Sequence, residues 1–90
     1  MTDDRLRRSD RVVSRACDEG VILLQLDEGG YYMLDEIGGQ VWDACDGSRS
    51  LGSIIAALAD EYDASAALIR ADVEELVHEL VGERLLVQAA

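Results

Sequence analysis

The chain has 90 residues, 49% hydrophobic and 30% charged, with a formal net charge of −11, which suits one small globular domain and leaves no room for a second core. Its uninterrupted apolar runs, Val21 to Leu24 among them, are only a few residues long and fall far short of the ~20 residues a bilayer span requires. Met1-Thr2-Asp3-Asp4-Arg5 opens no signal-like apolar stretch either, so a cytosolic protein with no membrane partner is expected.

The charge is uneven. Arg5, Arg7, Arg8, Arg11 and Arg15 are five of the eight arginines, and there is no lysine. Residues 16–90 hold three arginines against sixteen acids, a net of −13. Such a surface repels phosphate backbones, which argues against nucleic acid as a partner. Cys17 and Cys45 lie far apart and outside any Cys-x-x-Cys spacing, so both are expected as buried free thiols.

Residues 1–10 are polar and without periodicity, and are expected as a mobile basic tail. Val12 to Cys17 is strand-like and ends at the turn Asp18-Glu19-Gly20. Val21 to Leu26 is the strongest strand, closed by Asp27-Glu28-Gly29-Gly30, and Tyr31 to Leu34 makes a short third one. Short turns between three strands predict an antiparallel meander.

The period then becomes helical. Asp35 is placed to cap a helix bearing Ile37, Val41, Trp42, Ala44 and Cys45, ended by Asp46-Gly47. Ser50 caps a second helix with the stripe Leu51, Ile54, Ile55, Leu58 and Tyr62. Ser65 begins the third and longest, with Ile69, Val73, Leu76, Val77 and Leu80 inward and Gly82 as its C-cap. Leu85-Leu86-Val87 then packs back. The expected order is three strands followed by three helices. Gly38 and Gly39 cost a helix roughly 1 kcal/mol each against alanine, so close packing against a neighbour is expected there.

No catalytic constellation emerges. His78 stands alone among acids, Ser48, Ser50 and Ser53 lack a nearby base, and neither glycine pair fits a phosphate-loop spacing. Neither enzyme activity nor a metal or other cofactor is expected. What remains is a surface. Tyr31 to Leu34 contains no proline, lysine or charge, the usual devices that blunt a sheet edge. An extended peptide can add to such an edge through main-chain hydrogen bonds. Two to four of these, at about 0.5–1.5 kcal/mol each, fall short of micromolar affinity, so side-chain pockets must contribute. Strand alternation puts Tyr31 and Met33 on one face, expected nearer the guest, and Tyr32 and Leu34 on the other, expected to help the core.

The run from Gly20 through Gly29-Gly30-Tyr31-Tyr32-Met33-Leu34 to Glu36 resembles the hairpin of the PqqD family. Gly38, Val41-Trp42, Asp46-Gly47, Ile54, Leu58, Glu61-Tyr62-Asp63, Asp72-Val73, Leu76, Leu80 and Leu85-Leu86 continue the likeness. Asp35 stands where Asn is usual, Ile37 where Thr is frequent, and Ala44-Cys45 where two Leu are common. The resemblance implies an α+β, winged helix-turn-helix-like domain over residues 11–90. It also implies a function: holding the leader segment of a ribosomally made precursor peptide. The leader would add to the third strand and lie against the third helix. Tyr31, Tyr32, Met33 and Leu34 would line one side, with Ile69, Asp72, Val73 and Leu76 on the other. Within the family, the short hairpin is most similar to stand-alone leader-binding proteins of lasso-peptide pathways. Those deliver the precursor to a transglutaminase-like leader peptidase and an asparagine-synthetase-like cyclase, with a leader aromatic in an apolar pocket. The alternative within the family is a peptide chaperone of pyrroloquinoline quinone biosynthesis. The alternative of another class is a DNA-binding winged helix, whose recognition helix would here carry Asp72, Glu74, Glu75 and Glu79.

Overall fold

The structure, a computed structural model that describes residues 4–89, contains the expected meander. Strands β2 (Val12–Cys17), β3 (Gly20–Gln25) and β4 (Tyr31–Leu34) pair in that order, antiparallel throughout. The β3–β4 turn is built by two groups. Gly29 takes a φ of +74°, which a side chain would disfavour. The buried Gln25 side-chain oxygen accepts from the Glu28 N–H at 2.7 Å, so its burial leaves that oxygen satisfied.

Helix α1 (Glu36–Ala44) starts as its sequence demands: the Asp35 carboxylate accepts from the Gly38 N–H at 2.7 Å. In α2, spanning Leu51–Glu61, the Ser50 hydroxyl accepts from the Ser53 N–H at 3.2 Å. Helix α3 (Ala66–Gly82) has Ser65 at its N-cap, but that side chain makes no capping bond. Gly82 does not cap it either. The helix runs through Gly82 to a C-cap at Glu83, and Arg84 rather than a glycine takes the positive φ, 64°.

Order and number of strands depart from expectation. Residues 1–3 of the expected tail lie outside the described residues, but Arg5–Arg8 is no tail: it is β1, the centre of a second antiparallel sheet. Its neighbours are β5 (Asp46–Ser50), inserted between α1 and α2, and β6 (Leu86–Gln88). The α+β class and the β2–β4 meander stand, while the strand inventory grows from three to six among the described residues. Periodicity could not betray β1 or β5. Only Leu6, 3% exposed, points inward from β1, and β5 is all glycine and polar residues. Backbone bonds hold this sheet in place, among them Ala89 N–H to Arg5 C=O at 2.7 Å and Leu51 N–H to Asp4 C=O at 2.8 Å. Arg8 adds a clamp: its guanidinium donates to the Trp42 and Asp43 carbonyls at 3.0 and 2.7 Å, supplying partners for C=O groups at the end of α1.

One core unites both sheets and all three helices, with Leu6, Leu23, Trp42, Ile55, Val77 and Leu86 among its members. Gly39 makes the close approach that its position in α1 implied. A Cβ there would meet Val21 Cγ2 at 2.9 Å, so glycine lets the helix settle onto β3. Both cysteines are free, but only Cys45 is buried; Cys17 is half-exposed.

Because Leu6 ties β1 into the core, Leu6→Ala should cost about 2–5 kcal/mol, read as a lowered urea midpoint; a change under 0.5 kcal/mol would make β1 an ornament. Burial pushes the Cys45 thiol up to about 11, despite the opposing charge of Arg8. The unfolded chain therefore ionises near the ordinary value of 9.0 while the folded chain keeps its proton. The contribution of this thiol to stability is full below that value and is lost as pH rises towards 11. Iodoacetamide at about pH 8 should accordingly label Cys17 in the native protein and reach Cys45 only on unfolding, as peptide mass mapping can determine.

Candidate functional site

Strand β4 ends its sheet, since it pairs with β3 alone. The phase of that pairing decides which of its main-chain groups are free. Gln25 N–H donates to Gly30 C=O at 2.8 Å on the β4 side, and Leu26 N–H donates to Arg11 C=O at 2.9 Å on the β2 side. Antiparallel bonding alternates residue by residue. In the observed register Leu23 pairs with Tyr32, and Val21 with Leu34; these pairs therefore share the bonding phase of Gln25 and Gly30. Tyr31 and Met33 must then turn their N–H and C=O groups outward.

Side chains divide in the same alternation. Leu34 is 5% exposed and Tyr32 half-buried, both on the face towards the helices, whereas Tyr31 and Met33 are 71% and 59% exposed on the opposite face. Beside β4 lies a cleft of about 380 Å³, lined by Met33, Leu34, Asp35, Ile37, Gly38, Asp72, Val73 and Leu76. Its wall is mixed in origin. The β4 end gives Met33 and Leu34, the start of α1 gives Ile37 and Gly38, and α3 gives Asp72, Val73 and Leu76. Gly38 keeps this wall low: a Cβ there would sit 3.2 Å from Leu34 Cβ and 3.4 Å from Leu76 Cδ2.

Of the eight residues the sequence suggested, five thus line one cleft. Tyr32 stands further along β4, where partial burial, followed by the charges of Glu83 and Glu79, raises its phenol above the ordinary range. The charges of both carboxylates thus reach Tyr32 from the C-terminal end of α3, whereas Asp72, Val73 and Leu76, nearer its start, line the cleft with Leu34. Tyr31 lies on the outer sheet face. Ile69, 7% exposed, belongs to the core cluster and is absent from the cleft wall. Sequence reasoning missed Ile37 and Gly38 as wall residues, although a glycine inside a helix was the available signal. It also missed Glu79 and Glu83, whose spacing from Asp72 and Leu76 by helical steps could have revealed a common stripe. Among the described residues no group of three or more His, Cys, Asp and Glu side chains could hold a metal ion. No helix of the described residues is long and apolar enough to cross a membrane.

Fold and site together define a small α+β domain whose meander ends in a strand with one open edge, beside a helix-lined cleft. Residues 20–86 match the model of the family described as coenzyme PQQ synthesis protein D (PqqD), and the chain belongs to that family. It is similar to the PqqA binding protein of Xanthomonas oryzae pv. oryzae (strain PXO99A), 53% identical over 53 residues, 59% of this chain and 58% of the relative. The PqqA binding protein of Xanthomonas euvesicatoria pv. vesicatoria (strain 85-10) is 51% identical over the same coverage. The match thus spans little more than half the length of these curated relatives. Among solved structures, TbiB1 in complex with the TbiA(beta) leader peptide is 30% identical with a TM-score of 0.79, covering 89% of this chain and 93% of that one. Lasso peptide synthetase B1 complexed with the leader peptide shares the fold at 19% identity and a TM-score of 0.81, covering 92% and 98%.

The bonding phase of β4 is measurable. Amide exchange followed by NMR should show Tyr32 and Leu34 protected and Tyr31 and Met33 exchanging freely; the reverse pattern would mean that another strand register is occupied.

Proposed function

We propose that this chain is a non-catalytic, cytoplasmic domain that holds the leader segment of a ribosomally synthesised precursor peptide. The leader adds as a fourth strand along β4 and rests against α3, with Tyr31, Tyr32, Met33, Leu34, Asp72, Val73 and Leu76 at the contact and Ile69 supporting it from the core. The outward phase of the Tyr31 and Met33 main chain, directly beside the cleft, carries this reading. An unpaired edge supplies bonds of any sequence, and the cleft supplies the selection the edge lacks. One apolar side chain buried there adds about 1.5–3 kcal/mol, which moves a few edge bonds towards the roughly −8 kcal/mol of a micromolar complex.

A lasso-peptide precursor is the favoured guest. Support comes from the likeness to TbiB1, which at 30% identity extends over 89% of this chain, and which was captured with a leader peptide. The domain would then present its guest to a leader peptidase, of transglutaminase-like type, and to an asparagine-synthetase-like cyclase. A second reading, a peptide chaperone for PqqA in pyrroloquinoline quinone biosynthesis, is favoured by the higher identity to the PqqA binding proteins, over a shorter stretch. A nucleic-acid role is disfavoured by the exposed acids Asp72, Glu75 and Glu79 on α3.

Calorimetric titration with a lasso precursor leader and with PqqA separates these readings. Micromolar or tighter binding to the first and not the second is expected, and binding to neither would overturn the whole proposal. Met33→Pro removes one outward N–H; it should weaken leader binding at least tenfold while the urea midpoint moves little. Equal losses in binding and stability would assign β4 a purely structural part.

A further inference from the structure

The α3 face turned to β4 is not uniformly apolar. Asp72, Leu76, Glu79 and Glu83 recur at steps of four, three and four, which places the first three in one row along α3 and Glu83 at its C-cap, one turn further on. Asp72 and Leu76 line the cleft with Leu34, and the row continues from them along α3 to Glu79 and to Glu83 at its C-cap, whose charges reach Tyr32. The three acids are exposed and Leu76 half-buried. The ion pairs among the described residues are Arg7–Asp10 and Arg11–Asp27, neither of which engages this row. Arg70 and Arg84, the arginines nearest in sequence, form no ion pair with it. A guest strand laid along β4 therefore meets an apolar recess at Leu34, Val73 and Leu76, and next to it a pair of carboxylates without a cation.

Spacing makes this specific. From Leu76 to the point midway between Glu79 and Glu83 the helix rises about 7.5 Å at 1.5 Å per residue. Side chains on one face of a strand recur every two residues, roughly 6.6–6.8 Å apart. One same-face step of the guest thus spans the distance from the recess to the carboxylate pair. We infer that the groove selects extended segments carrying Lys or Arg two residues from the apolar side chain that fills the cleft. This rests on the strand-addition reading and adds the chemistry of the guest to it. The Tyr32 ring beside the same carboxylates offers an apolar surface for the stem of such a side chain.

A phage-displayed library of randomised extended nonapeptides, selected on the full chain, tests it. Selected peptides should share an apolar residue with Lys or Arg two positions away. Changing that Lys to Gln in a synthetic winner should weaken binding about fivefold at low salt, and the difference should shrink at about 0.5 M NaCl. The Glu79→Gln/Glu83→Gln variant should lose the positional preference. Asp60→Asn/Glu61→Gln on α2, with the same change in net charge, should keep it. Winners with no basic preference, or with basic residues spread evenly along the peptide, would overturn the inference, because net charge alone gives an even spread. Loss of the preference in both double variants would overturn it too. Winners that bind Met33→Pro as well as wild type, or a library with no edge-dependent winner, would instead remove the strand-addition reading beneath it.

Discussion

The alternation of hydrogen bonds along β3 constrains everything else in this domain. Its even-numbered residues bond to β2 and its odd-numbered ones to β4, so each neighbour is left with its own set of outward groups. A slip of one residue would bring Tyr31 and Met33 inside and turn Leu34 out of the core. The buried Leu23 and Leu34 forbid that slip. The same apolar contacts that stabilise the fold therefore fix which two main-chain units of β4 stay available.

Helix α3 serves two neighbours at once. Val73, Val77 and Leu80 are almost wholly buried, so the helix is anchored in the core, while Asp72 and Leu76 beside them line the cleft next to the edge strand. Val73 belongs to both sets. Substituting it perturbs packing and groove together, whereas Leu76, half-buried, and Met33, exposed, can be changed with less cost to the core. Gly38 contributes by what it lacks, since its missing side chain leaves the cleft wall open at the start of α1.

The parts of this architecture legible in the sequence are those that rest on local signals. Alternating apolar residues gave the meander, Asp35 and Ser50 announced their helices, and the lack of charge between Tyr31 and Leu34 pointed to the free edge. Strands β1 and β5 were illegible because their stability comes from partners distant in sequence: Arg7 pairs with Asp46 on one side and Val87 on the other. A run of arginines holding one inward leucine carries too little pattern to declare itself. Ile69 differs in kind. Its place on the helix stripe marked it correctly as inward, and only the family resemblance put it in the groove, because a likeness between chains does not say which apolar position of a stripe is sealed in the core.

The pairing of β1 with β6 has an architectural consequence. Leu6 faces Gln88 in that ladder, so the two ends of the described chain lie side by side, in adjoining strands of the sheet that does not contain β4. Joining points that close requires little loop-closure entropy. Such a unit can be spliced into a loop of an unrelated host as a self-contained cassette, with the edge strand β4 untouched by the join.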